Sequence, residues 1–439
     1  MNRQRLARQA QWDQRRERLG GALWVLPASM VVVALIAGSV LSRIRVHPDS
    51  LLGPVLFKGD HDEARRLLLT VATSIVGILA LVIGLSMVAI QMATNRYSPR
   101  LLRNFLRDRP VQFVLGVFVG AFTYNAAGLY TVGIEQNEYP RLAVTAGLAS
   151  LFVSIGALIF YLDHMVHSIQ IDTVLARIGT TTAKTIALEP PGIGGSAGDA
   201  ADLADDLPPG AAPLRARHSG YVQIIRPNRL LAIAVEQNVT IRTVLPVGAH
   251  TVAGAVLAWV WPNSLENLPH VDSLEAALED GVQIGFERTM RQDVAVGLEQ
   301  IVDIALLSMH NFDFHTSVQS TNELAILLNK LNTKALGPEA FSCRDGIERV
   351  VVTGRRFEDF VEIAVGQIRR RGANEPVVLS ALLGMLRDLG SMVASEDRRA
   401  CIAAQIATLA ETATRSIPDA ADVARVQTEA QTALRQIAC

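Results

Sequence analysis

The chain has 439 residues, a formal net charge of −1 and a mean hydropathy of +0.27. Its length exceeds one ordinary domain and 50% of its residues are hydrophobic, so a single small soluble domain is excluded. The apolar residues are concentrated before residue 165, and the first 110 residues are rich in arginine. This asymmetry favours a lipid bilayer as partner and argues against nucleic acid, because no basic and aromatic pattern continues into the remainder.

Four apolar segments predict membrane spans. The first follows an arginine-rich N-terminus and is about 20 residues long, which is enough to cross a bilayer. A cleaved signal peptide is the alternative, but the segment lacks a convincing small-residue cleavage site. The predicted spans cover residues 22–42, 67–92, 111–133 and 141–163.

A short basic segment, here called the elbow, lies between the second and third predicted spans at residues 96–110. Its hydroxyl and proline residues form a good helix start, and its arginines and leucines fall on opposite helical faces. A basic amphipathic helix between two spans is typical of a segment that lies on the cytoplasmic membrane surface. The predicted elbow residues are Ser98, Pro99, Arg100, Arg103 and Arg107.

The short loops predict the orientation of the chain. Five arginines in the loop around the elbow contrast with Glu135, Glu138 and Arg141 in the loop between the third and fourth spans. By the positive-inside rule, we expect a multi-pass membrane protein with its N- and C-termini in the cytoplasm. The first outer loop, residues 43–66, has mixed charge and does not reverse this bias.

Composition and periodicity predict an α-helical membrane protein with four transmembrane helices, a small cytosolic β-barrel or sandwich module and an all-α C-terminal domain. A Gly/Pro/Asp-rich stretch cannot bury a core and is expected to be a flexible linker. The predicted domains are a transmembrane domain at 1–188, the linker at 189–216, the β module at 217–265 and the helical cytosolic domain at 266–439.

Local patterns place elements within the cytosolic part. Runs of β-branched residues between turn signals predict strands at 220–225, 230–235, 239–245 and 256–260. Helical periodicity predicts helices at 272–286, 291–309, 317–333, 340–371, 376–394, 397–413 and 418–437.

Polar and small residues mark two features of the spans. Gly116 and Gly120 form a small-xxx-small pair, which serves either close packing within one bundle or a seam between subunits. Tyr124 and Asn125 are expected to bond to neighbouring helices or to line a pore, since an Asn facing lipid is costly. The central turns of the spans carry no ionisable residue, which argues against a proton-coupled pump.

Metal and cofactor signals are weak. Asp163, His164 and His167 close the fourth span, and His residues at i and i+3 can share a metal, but no further ligands cluster nearby. Cys343, Cys401 and Cys439 are widely spaced without a CxxC pair, so they support neither zinc nor a disulfide framework. The sequence therefore predicts no metal site and no cofactor.

A polar cluster is predicted in the cytosolic part, at Glu287, Arg288, Asp293 and Asp303. Ion pairs on a helix surface and an enzyme site are the alternative interpretations. The segment His310–His315, rich in ligand-type side chains, is predicted to break the helical pattern and matches neither a metalloprotease nor a P-loop motif.

Several of these motifs together resemble a bacterial family of predicted membrane proteins, the domain of unknown function 2254. The resemblance covers most of residues 20–335 and is most specific in the elbow. One departure from the family pattern is that residues 308–317 lack two prolines that relatives carry. The resemblance implies the architecture and no activity. The residues that carry it are Asn95-x-x-Ser-Pro-Arg-Leu-Leu102, Asp108, Gln112, Gly116, Tyr124, His164, Ser168-Ile-Gln170, Ser219-Gly-Tyr-Val222, Gly254, Glu287-Arg-Thr-x-x-Gln-Asp293 and Asp303-Ile-Ala305.

The function predicted first is an oligomeric ion channel or passive transporter gated by its cytosolic domains, since four spans with few charges need oligomer symmetry to build a pore. A homo-oligomer is therefore expected. The alternative is a membrane-anchored scaffold or sensor that binds a cytosolic protein partner. An enzyme ranks last, because no nucleophile–base pair is visible.

Overall fold

The computed structural model describes residues 24–44, 56–96, 109–132, 140–168, 170–193, 207–208, 210–263, 271–342 and 347–438. The chain forms two compact units, Met1–Thr173 and Val174–Cys439. All five predicted elbow residues lie outside the described residues.

The first unit is a bundle of apolar helices. Its described helices are α1 (Val25–Leu41), α2 (His61–Arg96), α3 (Arg109–Val132) and α4 (Arg141–Ser168). Three helices are long and apolar enough to cross a membrane, over His61–Gln91, Arg109–Tyr130 and Arg141–His167. The α1 helix is equally apolar but has only 17 residues.

A capping box explains why α2 begins at His61 rather than at residue 67, where hydropathy alone starts the span. The backbone amide of Glu63 donates to the Asp60 carboxylate over 2.7 Å, and the amide of Asp60 donates back to Glu63 over 3.1 Å. This reciprocal pair satisfies free amides at the helix start, so a polar turn precedes the apolar part of the helix.

Two glycines bring α1 close to α3. A Cβ atom on Gly116 would lie 2.5 Å from the Met30 sulfur, and one on Gly120 would lie 3.4 Å from the Met30 carbonyl oxygen. The small-xxx-small pair therefore packs two helices of one chain against each other.

The second unit combines two sheets with a helical layer. Its sheets have the strand orders β1-β5-β3-β8-β7 and β4-β2-β6. Its strands are β1 (Ala212–Arg215), β2 (Gly220–Ile225), β3 (Val239–Thr243), β4 (His250–Thr251), β5 (Val256–Pro262), β6 (Val282–Gly285), β7 (Glu339–Ser342) and β8 (Glu348–Val352). Its described helices are α5 (Ile171–Ala187, which starts at the end of the first unit), α6 (Pro227–Glu236), α7 (Val271–Gly281), α8 (Val294–His310), α9 (Phe314–Asn332), α10 (Phe357–Arg371), α11 (Pro376–Met392), α12 (Glu396–Ser416) and α13 (Ala420–Ala438).

The predicted strand at 230–235 is wrong, because this segment belongs to helix α6. Pro227 occupies the first turn, where its fixed φ favours a helix, and Leu230 and Ala234 are the buried residues at a spacing of four. The other three predicted strands are confirmed as β2, β3 and β5.

The predicted helix at 340–371 is wrong in its first half. Val350, Val351 and Val352 are buried in β8, which pairs antiparallel with β7 and parallel with β3. Three adjacent β-branched residues favour a strand, and only Phe357–Arg371 is helical. The C-terminal segment is therefore not all-α, since it completes the sheet that begins in the predicted β module.

Both sheets have edge strands, so the described strands do not close into a barrel. Parts of the predicted linker, residues 189–216, form regular structure. It contains β1, and Ile193 forms a β-bridge with Leu336. Under the sheets, α6 and α7 cover a core built from aliphatic residues. Its fully buried members include Leu214, Val222, Ile225, Leu230, Ile241, Val260, Leu274 and Val350.

Candidate functional sites

The two polar residues of α3 are used for bonds within the bundle. The Asn125 side chain is fully buried, and its Nδ2 donates to the Ala121 carbonyl and to the Ser150 hydroxyl, both over 2.8 Å. The Tyr124 hydroxyl donates to the Ala143 carbonyl over 2.9 Å. Both side chains therefore connect α3 to α4 inside one chain.

A glycine on α4 makes room for this arrangement. A Cβ atom on Gly147 would lie 2.7 Å from Asn125 Oδ1 and 2.6 Å from a Leu68 methyl group. Beside Tyr124 there is a cavity of about 60 Å³, lined mainly by aliphatic residues of α1–α4. This space holds a few water molecules at most.

The exposed face of α2 carries a stripe of small and hydroxyl residues, here called the α2 stripe. Glycine positions in it are open, since a Cβ atom on Gly77 or Gly84 would meet nothing within 4 Å. Its members are all exposed: Thr70, Thr73, Ser74, Gly77, Ala80 and Gly84. Sequence reasoning missed it, although its helical spacing is readable in the sequence.

The exposed face of α4 carries mainly bulky apolar residues, namely Phe152, Val153, Ile155, Ile159 and Phe160, beside Ala149 and Gly156. Bulky residues such as Leu81 and Val88 are also exposed on α2, so the two faces differ in the share of small and hydroxyl residues. Bulky apolar side chains suit contact with lipid tails, whereas small and hydroxyl residues in a membrane helix are typical of contact with protein or water.

In the second unit, Arg288 forms a charged cluster with two carboxylates. Its Nε donates to Asp293 over 2.8 Å, and its Nη1 donates to both oxygens of Glu299 over 2.7 and 2.8 Å. The exposed fractions of the three side chains are 15%, 3% and 28%. We call these three residues the Arg288 cluster.

Burial and charge act in opposite directions on this cluster. Burial alone disfavours the charged guanidinium, but the hydrogen bonds and charges of Asp293 and Glu299 raise the pKa of Arg288 above its ordinary value. Burial raises the pKa of Asp293, and the bond and charge of Arg288 oppose that rise.

Steric and hydrogen-bond contacts fix the backbone around the Arg288 cluster. Gly248 has φ of +89°, and a Cβ atom there would collide with the Asp293 carboxylate, so only glycine fits this turn. Gln292 pairs with the backbone of Ile225, accepting over 2.9 Å and donating over 3.1 Å. The Thr185 hydroxyl of α5 donates to the Met290 carbonyl over 2.8 Å. The Glu287–Asp293 motif thus joins a sheet, α5 and the start of α8.

The predicted polar cluster is only partly brought together in the structure. Of the predicted set, Arg288 and Asp293 are in contact, and Asp303 lies one turn beyond Glu299 on α8. The Glu287 carbonyl accepts a hydrogen bond from Gln223 over 2.6 Å. Glu299 was missed, because nothing in the spacing separates it from other acids of the helix.

The polar end of α4 is arranged without a third ligand. His167 Nδ1 lies 3.4 Å from an Asp163 carboxylate oxygen, and His164 stacks on Phe160 with the ring centroids 6.1 Å apart. Among the residues that the structure describes, no group of three or more His, Cys, Asp or Glu side chains is placed to hold a metal ion.

The long apolar helices indicate a membrane protein. The chain belongs to the family whose description is predicted membrane protein, the domain of unknown function 2254, and the family model matches residues 21–388.

Three similar proteins are mycobacterial. One from Mycobacterium bovis and two from strains of Mycobacterium tuberculosis, each titled an uncharacterized protein, are 36% identical over 418 residues. The alignment covers 93% of this chain and 79% of each relative. No solved structure matches the chain.

Proposed function

We propose that the protein crosses the bacterial inner membrane four times, with both termini in the cytoplasm. The fourth crossing is α1, whose 17 residues extend about 25 Å as a helix. Its contact with Gly116 and Gly120 keeps it inside the bundle, and its exposed side chains, such as Val33 and Ile36, are apolar. A few flanking residues bring it to the thickness of the hydrocarbon core.

The function proposed for this assembly is an oligomeric channel or passive transporter. The observation that carries it is the α2 stripe, because threonine, serine and glycine interrupt the bulky residues, such as Leu81 and Val88, that are exposed on the same helix. Since Tyr124 and Asn125 are occupied inside the bundle, the path lies between chains and not through one chain. Copies contact one another beside the stripe, and its hydroxyl and backbone oxygens line the path.

In this proposal the second unit acts as the gate. Helix α5 follows α4 in the chain after two residues, and Gly179 of α5 lies against Glu323 of α9. A Cβ atom on Gly297 of α8 would collide with Thr182 of α5, so no larger residue fits at this contact between the two helices.

The test is ion or solute flux into liposomes that contain purified protein, comparing Gly77→Leu with Gly156→Leu. Both glycines are exposed and have open space for a side chain, but Gly77 lies in the α2 stripe and Gly156 lies among the bulky residues of α4. We expect Gly77→Leu to lower flux at least tenfold and to reduce oligomer size, and Gly156→Leu to change neither.

Equal flux through both variants would contradict the proposed path. A folded protein that carries no flux in either form would favour the alternative, a membrane-anchored scaffold or sensor. That alternative has one specific observation in its favour: Phe286 and Phe312 of the second unit are 94% and 83% exposed, which is unusual for phenylalanine.

A further inference from the structure

The turn between α8 and α9 holds a phenylalanine in an unfavourable conformation. Phe312 has φ of +59°, a region that bulky residues avoid, and its ring is almost wholly exposed. Hydrogen bonds hold the turn on both sides, from the Phe312 amide to the Met309 carbonyl and from the Asp313 amide to the Ser308 carbonyl. These two bonds form a Schellman motif at the end of α8, whose αL position is usually glycine, so a phenylalanine at this position is strained.

The turn is also capped firmly on its α9 side. The Asp313 carboxylate accepts from the Thr316 amide over 3.1 Å and from the Thr316 hydroxyl over 2.7 Å. Phe314 contacts Phe312 edge-to-face, with ring centroids 6.5 Å apart. The exposed ring is therefore presented by a rigid support and not by a loose loop.

A cation lies at the α8 end of this turn. Arg371, in the last turn of α10, donates to His310 Nδ1 over 3.4 Å. The two preceding arginines are used elsewhere, since Arg369 bonds to Thr412 and Arg370 to Glu362. We call Phe312, Phe314, His310 and Arg371 the tip of the α8–α9 hairpin.

We infer that the tip docks on the surface of an anionic lipid bilayer. Phe312 enters the boundary between headgroups and acyl chains, and the Arg371 guanidinium pairs with lipid phosphate. The inference rests on the membrane anchoring of the chain and not on channel activity. Because α2–α4 hold the chain in the bilayer, lipid is present near the second unit at high effective concentration.

The chemistry of the tip favours lipid over a protein partner. A protein interface centres on an apolar core that is surrounded by further contacts, whereas here the apolar part is one aromatic pair with polar neighbours. An exposed ring in a tip that also carries a cation matches the layering of a membrane interface, with apolar groups inside and phosphate outside.

The test uses full-length protein in vesicles made with brominated lipids, which quench tryptophan on contact. Phe312→Trp is compared with Phe286→Trp, which is equally exposed but precedes the other end of α8. The signal of the native tryptophans is subtracted with the wild-type protein. We expect the added tryptophan at 312 to be quenched at least twofold more than that at 286 when the vesicles contain phosphatidylglycerol.

Arg371→Gln in the Phe312→Trp background is expected to remove most of this difference, as are vesicles of phosphatidylcholine alone. Equal quenching at 286 and 312, or quenching that ignores lipid charge and Arg371, would overturn the inference. An unquenched tryptophan at 312 would also overturn it and leave a protein partner as the occupant of the tip.

A second measurement distinguishes loss of docking from a folding defect. Phe312→Gly suits the positive φ, so the protein stays folded while the ring is lost. Hydrogen exchange at residues 308–316 should slow in anionic vesicles for the wild type and remain unchanged for Phe312→Gly. The same protection in both proteins would contradict docking through the ring.

Discussion

At the scale of single residues, the buried side chains of Asn125 and Arg288 each obtain a partner on another segment of the chain. That Asn125 needs a partner could be predicted, since an amide in a membrane span is costly to leave unpaired. That Asn125 bonds to Ser150 and occupies the gap left by Gly147 could not be predicted, because both depend on how α3 and α4 are rotated against each other. The same holds for Glu299, which reaches Arg288 only after the turn at 289–293 has formed.

The Arg288 cluster gives a prediction for stability. Asp293→Ala removes a carboxylate that is 3% exposed and leaves Arg288 with less compensation for its buried charge. We expect the free energy of unfolding to fall by about 2–4 kcal/mol, measured by chemical denaturation of the purified protein.

The matched control for this prediction is Asp388→Ala, which breaks a surface pair with Arg387 of similar length, 2.8 Å. An exposed pair of this kind contributes about 0.2–1 kcal/mol, so the control should barely change stability. Equal losses in the two variants would mean that the cluster is no more important than a surface ion pair.

At the scale of elements, apolar periodicity predicted the long helices well and short buried segments poorly. A helix of 20 or more apolar residues has one interpretation, and α2–α4 all lie where hydropathy placed them. The segment Leu230–Val235 is too short for its period to decide, and Pro227 at its start was the better guide. For Val350–Val352 the local β-propensity was present but was outweighed by the helical pattern that follows at Phe357.

The contact between α1 and α3 gives a prediction at this scale. Gly120→Leu would push side-chain atoms against the Met30 backbone, which cannot move as a flexible side chain can. Overpacking of this kind costs about 1–3 kcal/mol. The thermal stability of the detergent-solubilised protein should therefore fall, whereas Gly156→Leu should leave it unchanged. An unaltered melting curve for Gly120→Leu would show that α1 does not depend on this contact.

At the scale of the whole molecule, the chain divides at residue 173, and the second unit contains both sheets together with the helices that cover them. Sequence composition separated a β module from a helical domain at residue 265, because strands and helices alternate in blocks along the chain. The sheet order β3-β8 crosses that point, and such a pairing between distant segments leaves no signal in local periodicity.

This organisation predicts which fragment folds alone. Residues 174–439 should give a soluble protein with a cooperative thermal transition, since the core residues of the unit are all included. Residues 266–439 lack β3 and α5, so β8 loses its parallel neighbour, and this fragment should aggregate or show no cooperative transition. Circular dichroism and size-exclusion chromatography distinguish the two results. Cooperative folding of the shorter fragment would support the division at 265.

The parallel pairing of β3 with β8 also sets the order of events during synthesis. Thr243 and Thr353 bond to each other although 110 residues separate them, so the five-stranded sheet stays incomplete until the ribosome has made most of the chain. During that interval the spans are already entering the bilayer, while the edge of β3 that later pairs with β8 has no partner strand. Until β8 is made, the unpaired edge of β3 can bind other unfolded chains or a chaperone. Slow elongation before residue 348 therefore lengthens the time during which the second unit can aggregate.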